Sequence, residues 1–238
     1  MLIYPRTCGV CNRASVEARR DDPACAECWQ KTRLFTEQDA LCWKCGALAP
    51  AAQVAVAEDK RSGVRCRRCD AEPWTAARAV GLYEGALRAA VLELKREPHV
   101  ASRLSGLLFE QGRRPPLAAA TRIVPVPLHP KREQERGFNQ AAVLAHALAA
   151  RARLPLDERS LIRTSHTSLH RAGMDAHARR ESVAEAFVVN RPRLIEGERI
   201  LLVDDVFTTG ATVTACANAL ITARAEEVFV LTAARAGT

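Results

Sequence analysis

The stretch ILLVDDVFTTGAT at positions 200–212 joins an apolar run to two acidic residues, then to hydroxyl side chains and a glycine. Four consecutive large apolar residues at 200–203 predict a strand buried on both faces, as in a parallel sheet. Residues 210–223 have a helical composition, and Gly210 suits the tight turn before them. The stretch therefore predicts a strand, a turn and a helix at the edge of a parallel sheet where α/β proteins bind ligands.

The turn has the groups that a sugar phosphate requires. Backbone N–H groups at 208–212, together with the positive end of the following helix, suit a phosphate, and threonine hydroxyls add donors. Asp204 and Asp205 can accept hydrogen bonds from sugar hydroxyls or lie near a metal ion that balances diphosphate charge. The alternative is an acidic strand end followed by an ordinary threonine-capped helix.

Other segments extend the same pattern in both directions. Apolar runs at 79–83, 123–127, 187–189 and 228–232 predict strands, and residues at helical spacing predict helices near 87–94, 100–111, 139–151 and 176–184. A basic loop is expected at 129–136. Strands that alternate with helices predict an α/β fold with a parallel sheet covered on both faces.

Eight of the nine cysteines form four Cys-x-x-Cys pairs in the first 69 residues. Two residues between thiolates let one turn present both sulfurs to a single ion, and two such turns complete a closed tetrahedral zinc site. Pairing of neighbours is the simplest arrangement, while an interleaved arrangement or one redox-active pair are the alternatives. The predicted ligands of two structural zinc ions are Cys8, Cys11, Cys25, Cys28, Cys42, Cys45, Cys66 and Cys69.

Composition limits the class of protein. The chain has 238 residues of which 48% are hydrophobic, which argues against disorder. Residues 1–8 lack a signal-peptide pattern, and no run approaches the roughly 18–20 apolar residues of a membrane span, so a cytoplasmic protein without membrane insertion is expected. The cysteine pairs end at Cys69, which predicts a zinc module at 1–75 and an α/β domain at 76–238.

Positive charge is concentrated in the centre of the chain. The whole chain has 35 basic and 27 acidic residues, and 122–180 alone has 11 basic against 5 acidic residues. Such a local excess marks a surface that contacts anions. In the basic loop, Lys131, Arg132 and Arg136 can neutralise a diphosphate.

Two motifs resemble a known family. The 200–212 segment resembles the phosphoribosyl pyrophosphate (PRPP) signature of type I phosphoribosyltransferases. VPVPLHPKR at 124–132 and RGFNQ at 136–140 resemble the ComF family within that group, whose members carry an N-terminal double zinc ribbon. The resemblance implies a type I phosphoribosyltransferase-like sheet, Mg²⁺-dependent binding of PRPP, possible transferase activity, and an association with DNA uptake and natural transformation.

The resemblance also implies roles for particular residues. Asp204 and Asp205 would hold the ribose hydroxyls and are the candidate catalytic residues. Arg163 and Arg179 resemble basic positions of a segment that closes over the ligand. The residues that would bind the 5-phosphate are Thr208, Thr209, Gly210, Ala211 and Thr212, and those for the pyrophosphate are Lys131, Arg132 and Arg136.

A second function class competes with this interpretation. A non-enzymatic adaptor for competence or recombination proteins could hold single-stranded DNA along the basic stretch and the zinc module. Sequence-tolerant binding of single strands needs aromatic stacking surfaces, and aromatic residues are only 5% of the chain. Trp29, Trp43 and Trp74 are the candidates for stacking, unless they are core residues of the module.

Overall fold

The computed structural model describes residues 6–16, 21–49, 63–164 and 186–237. Its centre is a four-stranded parallel sheet in the order β1-β6-β5-β2. The strands of this sheet are β1 (Ala76–Ala79), β2 (Arg122–Pro125), β5 (Arg199–Phe207) and β6 (Glu227–Arg235). Two further strands, β3 (Leu161–Arg163) and β4 (Phe187–Val189), form an antiparallel pair. The α/β prediction is confirmed.

Helices connect the strands and lie on both faces of the sheet. The helices in the described residues are α1 (Ala26–Lys31), α2 (Gly85–Leu94), α3 (Ser102–Gly112), α4 (Pro130–Arg136), α5 (Gln140–Ala152) and α6 (Ala211–Thr222). Leu201 and Val203 pack with α2, α3 and α5 on one face, whereas Ile200 and Leu202 pack with α6 on the other. This alternation follows from the two-residue period of a strand.

Three sequence-based predictions of secondary structure were wrong, two in a strand boundary and one in the type of element. β1 begins at Ala76, three residues before the predicted strand. β5 continues to Phe207 because residues 204–207 also pair with β6, so both aspartates lie within the strand. The predicted basic loop is helix α4: Pro130 occupies its first turn and Gly137, at φ +81°, ends it. The helix predicted near 176–184 lies outside the described residues.

The cysteine-rich segment packs onto both faces of the sheet. Cys8, Cys25 and Trp29 belong to the core on the α2 side, while Cys42 and Cys45 belong to the core on the α6 side. The predicted division near residue 75 stays a prediction. In the part of the chain that is described, no helix combines the length and apolar character of a membrane span.

Candidate functional site

The turn after β5 carries the predicted phosphate ligands. Thr208 and Thr209 are exposed, and Gly210 adopts φ +87° immediately before α6. A Cβ at Gly210 would lie 3.0 Å from Phe207 Cζ, so both the backbone conformation and the close contact require glycine. The N-cap residue Gly210 has no side chain to cap this end of α6, and the Thr209 hydroxyl accepts a long hydrogen bond of 3.4 Å from the Ala211 N–H. The first N–H groups of a helix have no partners within it, so this turn can donate to an anion.

The two aspartates precede the turn and lie on opposite faces of β5. Asp204 accepts a hydrogen bond from the Asp205 N–H at 2.8 Å, and Asp205 accepts one from the Val206 N–H at 2.8 Å. Burial, followed by repulsion from the Asp205 carboxylate, raises the pKa of Asp204 well above its usual range. The structure thus places one carboxyl that resists ionisation beside a second one.

Asp205 has a cationic partner that sequence analysis missed. Lys95, directly after α2, places its Nζ 3.1 Å from Oδ2 of Asp205, whose side chain is only 11% exposed. No local pattern identifies Lys95, because the contact joins residues that are far apart in sequence. The acidic pair therefore has a lysine beside it as well as the phosphate turn.

The basic residues of α4 follow β2, which is the direct neighbour of β5 in the parallel sheet. The carboxyl ends of both strands thus lead into the phosphate turn and α4 at one edge of the sheet. Lys131 and Arg132 are exposed, whereas Arg136 donates to the side chain of Gln140. None of the three forms an ion pair among the described residues, and a neutral amide leaves the Arg136 charge available to an anion.

Polar residues around α4 have local structural roles. Asn139 accepts a hydrogen bond from the Ala141 N–H at 3.0 Å and donates to the Val126 carbonyl at 3.0 Å, which caps α5 and fixes the loop after β2. His129 accepts a hydrogen bond from the Lys131 N–H and caps α4. Both residues position the basic helix.

Arg163 and Arg179 are the two basic residues that the resemblance assigns to a segment closing over the ligand, and the structure describes only the first of them. Arg163 lies on β3, with its guanidinium 5.3 Å from the ring centroid of Phe187. It belongs to the β3–β4 pair, which packs against α6. Arg179 lies outside the described residues.

Two groups of four cysteines confirm the pairing of neighbours. Within each group every sulfur lies within 4.8 Å of the others, and the sulfur of Cys66 is 3.5 Å from that of Cys45 and 3.4 Å from that of Cys69. Tetrahedral zinc with bonds of about 2.3 Å separates its sulfurs by about 3.8 Å, so the spacing fits this ion. The two groups are Cys8, Cys11, Cys25 and Cys28, and Cys42, Cys45, Cys66 and Cys69.

Each group contains at least one thiol with a lowered pKa: Cys8 and Cys11 in the first group, and Cys42 in the second. Burial opposes ionisation of Cys8, but backbone N–H groups that point at its sulfur, including that of Cys25 at 3.2 Å, lower its pKa to about 6. The same balance lowers the pKa of Cys42 to about 7. Thiolate is the form that binds metal, so the groups are compatible with two structural zinc ions.

The tryptophans offer little stacking surface. Trp29 and Trp74 are 2% and 1% exposed, and Trp43 is half-buried beneath the Arg78 guanidinium, 5.2 Å from the ring centroid. The interpretation of Trp29 and Trp74 as core residues is therefore correct. Neither ring can stack on a nucleobase without opening the core.

Comparisons with known proteins agree with this architecture. Residues 139–238 match the family model of the phosphoribosyl transferase domain. The chain is 30% identical over 229 residues to the DNA utilization protein YhgH of Escherichia coli K12, covering 93% of each chain. It is 36% identical to Competence protein F of Haemophilus influenzae over 48% of this chain and 50% of that protein.

Among solved structures, the chain is similar to the glutamine PRPP amidotransferase of Bacillus subtilis, with 17% identity and a TM-score of 0.40. The similarity covers 59% of this chain and 30% of that one. The extent and identity of the YhgH match, the phosphoribosyl transferase domain and the paired cysteine groups lead to one conclusion. The chain belongs to the ComF family of phosphoribosyltransferase-like proteins with an N-terminal double zinc ribbon.

Proposed function

We propose that this protein binds PRPP together with Mg²⁺ at the carboxyl edge of its parallel sheet. The observation that supports this most is the N-terminus of α6, where the N-cap is a glycine, preceded by exposed threonines and by the half-buried Asp204 and buried Asp205. A sugar phosphate needs hydrogen-bond donors for its phosphate and carboxylate acceptors for its sugar hydroxyls, close enough together for one molecule to contact both. The turn and β5 supply them within nine residues of chain, at 204–212.

The parts of the ligand match different residues. Backbone N–H groups of the turn and the Thr209 hydroxyl donate to the 5-phosphate, while Asp204 and Asp205 accept from ribose hydroxyls. Gly210 and Ala211 leave room for the phosphate because neither has a long side chain. The pyrophosphate end extends towards Lys131, Arg132 and Arg136 on α4.

The acidic pair also fits a divalent cation by donor type, since Mg²⁺ prefers carboxylate oxygens and substrate phosphates. When bound, Mg²⁺ would balance the charge of the diphosphate. Lys95 lies next to Asp205 and adds positive charge on the opposite side of the strand from Asp204. The basic residues of α4 then hold the diphosphate in place, and a nucleophile would displace it from the ribose C1 if transfer occurs.

The biological setting that we propose is DNA uptake and utilisation in the cytoplasm. It rests on the names of the relatives, a DNA utilization protein and a competence protein. Free thiolates that bind metal also require a reducing compartment. Direct contact with single-stranded DNA is the alternative, and the burial of Trp29 and Trp74 argues against it.

Calorimetry with PRPP and Mg²⁺ tests the site. We expect the wild type to bind and Thr209→Val to bind at least about tenfold more weakly, because a hydrogen bond to a charged group is lost. Thr222→Val is the matched control, since Thr222 is an exposed threonine at the other end of α6. Absence of binding by the wild type would refute the proposal, as would equal losses in the two variants.

A further inference from the structure

One arginine connects the second cysteine group to the phosphate turn. Arg235, the last residue of β6, is only 9% exposed. Its NH1 donates to the Cys45 carbonyl at 2.7 Å, and its guanidinium carbon lies 4.4 Å from the ring centroid of Phe207. The Phe207 ring in turn lies beside Gly210, where an added Cβ would be 3.0 Å from its Cζ. Two contacts thus separate a predicted zinc ligand from the residue that shapes the phosphate turn.

A second connection runs from the same cysteine group to the first turn of α6. Trp74 packs edge-on against Phe207, with 6.0 Å between ring centroids, and its indole N–H donates to the Thr214 hydroxyl at 3.3 Å. That hydroxyl donates to Glu72, and the Thr214 N–H donates to the Gly210 carbonyl at 2.9 Å. Residues 70–74, directly after Cys69, therefore contact both the ring under the turn and the helix that follows it.

Lys44 links the first Cys-x-x-Cys pair of this group to the segment that follows the second pair. Lys44, between Cys42 and Cys45, donates from Nζ to the Asp70 and Glu72 carbonyls at 3.0 and 2.7 Å. It also lies over the Trp74 ring, 5.8 Å from the centroid. Lys44 thus ties the position of residues 42–45 to that of residues 70–74.

We propose that metal binding by Cys42, Cys45, Cys66 and Cys69 positions the phosphate turn, with Arg235 as the positioning residue that transmits the constraint. The expected effect on ligand affinity rests on the proposed function. The expected effect on the order of the turn does not depend on it. The physical reason is that so small a cysteine segment depends on metal for its fold. Without metal, the Cys45 carbonyl and the 70–74 segment lose their fixed positions, and Phe207 loses two of its neighbours.

The first cysteine group provides an internal comparison. It packs on the other face of the sheet, where Cys8 and Cys25 contact the α2 side of the core and Arg103 pairs with Asp21. None of its described contacts reaches Phe207, Gly210 or Thr214. Loss of metal there should leave the phosphate turn in place.

Hydrogen–deuterium exchange of the ligand-free full-length protein tests the proposal. The reporters are the Thr214 N–H, bonded to Gly210, and the Ala236 N–H, bonded to the Phe207 carbonyl at 2.9 Å. We expect Arg235→Met to speed exchange at both sites about tenfold while zinc content stays at two, and Arg235→Lys to restore much of the protection because it retains a donor and a cation. Arg103→Met is the matched control: Arg103 also pairs with a buried polar group, Asp21, and lies over an aromatic ring, that of Trp29 at 5.5 Å, but at the first cysteine group on the other face of the sheet.

A pair of cysteine variants separates the two metal sites. Cys66 and Cys11 are each a half-buried member of their group. We expect Cys66→Ser to lose one zinc, speed exchange at Thr214 and Ala236 and weaken PRPP binding about tenfold, while Cys11→Ser loses one zinc without faster exchange at those sites. Equal exchange in the two variants, or an unchanged turn in Cys66→Ser, would overturn the proposal. If the wild type binds no PRPP, the exchange result still decides this inference and only the proposed function fails.

Discussion

Lys95 Nζ lies 3.1 Å from Asp205 Oδ2, so the aspartate inside the central strand β5 is paired with a lysine that directly follows α2, far earlier in the sequence. The Asp205 side chain is 11% exposed and that of Lys95 is 34% exposed. A carboxylate in such a position needs a partner, since an unpaired buried charge is costly. The pair thus places a positive charge beside the second aspartate of the site.

A double-mutant cycle measures this pair. Lys95→Met should lower the free energy of unfolding by about 1–2 kcal/mol, less than for a fully buried pair because a third of the Lys95 side chain is exposed. Adding Asp205→Asn should recover most of the loss, since the charge left unpaired is then gone. Urea denaturation of the four proteins gives the coupling. Strictly additive effects would contradict the pairing.

Asp204 makes stability depend on pH with a defined sign. Its pKa in the folded protein is raised by burial and by Asp205, so folding favours the protonated form. Its contribution is fully present below about pH 4, the usual pKa of an unfolded aspartate, and is lost as pH rises through the raised value. Asp204→Asn mimics the protonated acid, so we expect it to melt a few degrees above the wild type at neutral pH and to lose that advantage at low pH.

The same variant should weaken PRPP binding, because the carboxylate that accepts from the ribose is gone. A gain in stability with a loss of binding is the pattern expected for a residue kept for function. Thermal melts over a pH series, combined with calorimetry, test both effects. A lower melting temperature for Asp204→Asn at neutral pH would contradict the raised pKa.

Two glycines should respond to alanine in opposite directions. Gly210→Ala places a Cβ 3.0 Å from Phe207 Cζ at φ +87°, so we expect a loss of about 1–2 kcal/mol in unfolding free energy and weaker phosphate binding. Gly106 lies within α3 and a Cβ there meets nothing within 4 Å, so Gly106→Ala should gain about 0.5–1 kcal/mol. Denaturant titrations of both variants give the two signs.

Metal content should be two zinc ions per chain. The four sulfurs of each group lie within 4.8 Å of one another, which suits tetrahedral coordination. Elemental analysis of protein purified without added metal measures the ratio, and a value near zero would reject both sites. Because Cys8 and Cys45 belong to the cores on the two faces of the sheet, we expect chelation to lower the melting temperature of the whole chain, not of residues 1–75 alone.

A salt titration separates the ligand site from the DNA adaptor. Single-stranded DNA is titrated into wild type and into Lys131→Ala/Arg132→Ala/Arg136→Ala at two salt concentrations, with and without PRPP and Mg²⁺. An adaptor would lose affinity steeply with salt, and the triple variant would flatten the slope by roughly one unit per phosphate contact. We expect PRPP to compete with any DNA bound at α4. Salt-sensitive DNA binding that PRPP leaves unchanged would favour the adaptor.

The sequence by itself determined the elements of the site. An apolar run followed by two aspartates, threonines and a glycine is a local pattern, and so are the Cys-x-x-Cys pairs and the spacing that predicts helices. Such local patterns show which side chains of an element are buried, where a turn forms and which metal a pair of ligands prefers, because each of these depends on a few neighbouring residues. The strand, the phosphate turn, α6 and the cysteine groups were therefore predictable.

Only the tertiary structure decided how these elements support one another. The end of β5 follows from pairing with β6, which no local propensity specifies. Lys95 reaches Asp205, and Arg235 reaches both Cys45 and Phe207, across long stretches of chain. Such contacts form only when the sheet brings distant segments together, because side-chain interactions extend a few ångströms in space and carry no signal along the sequence.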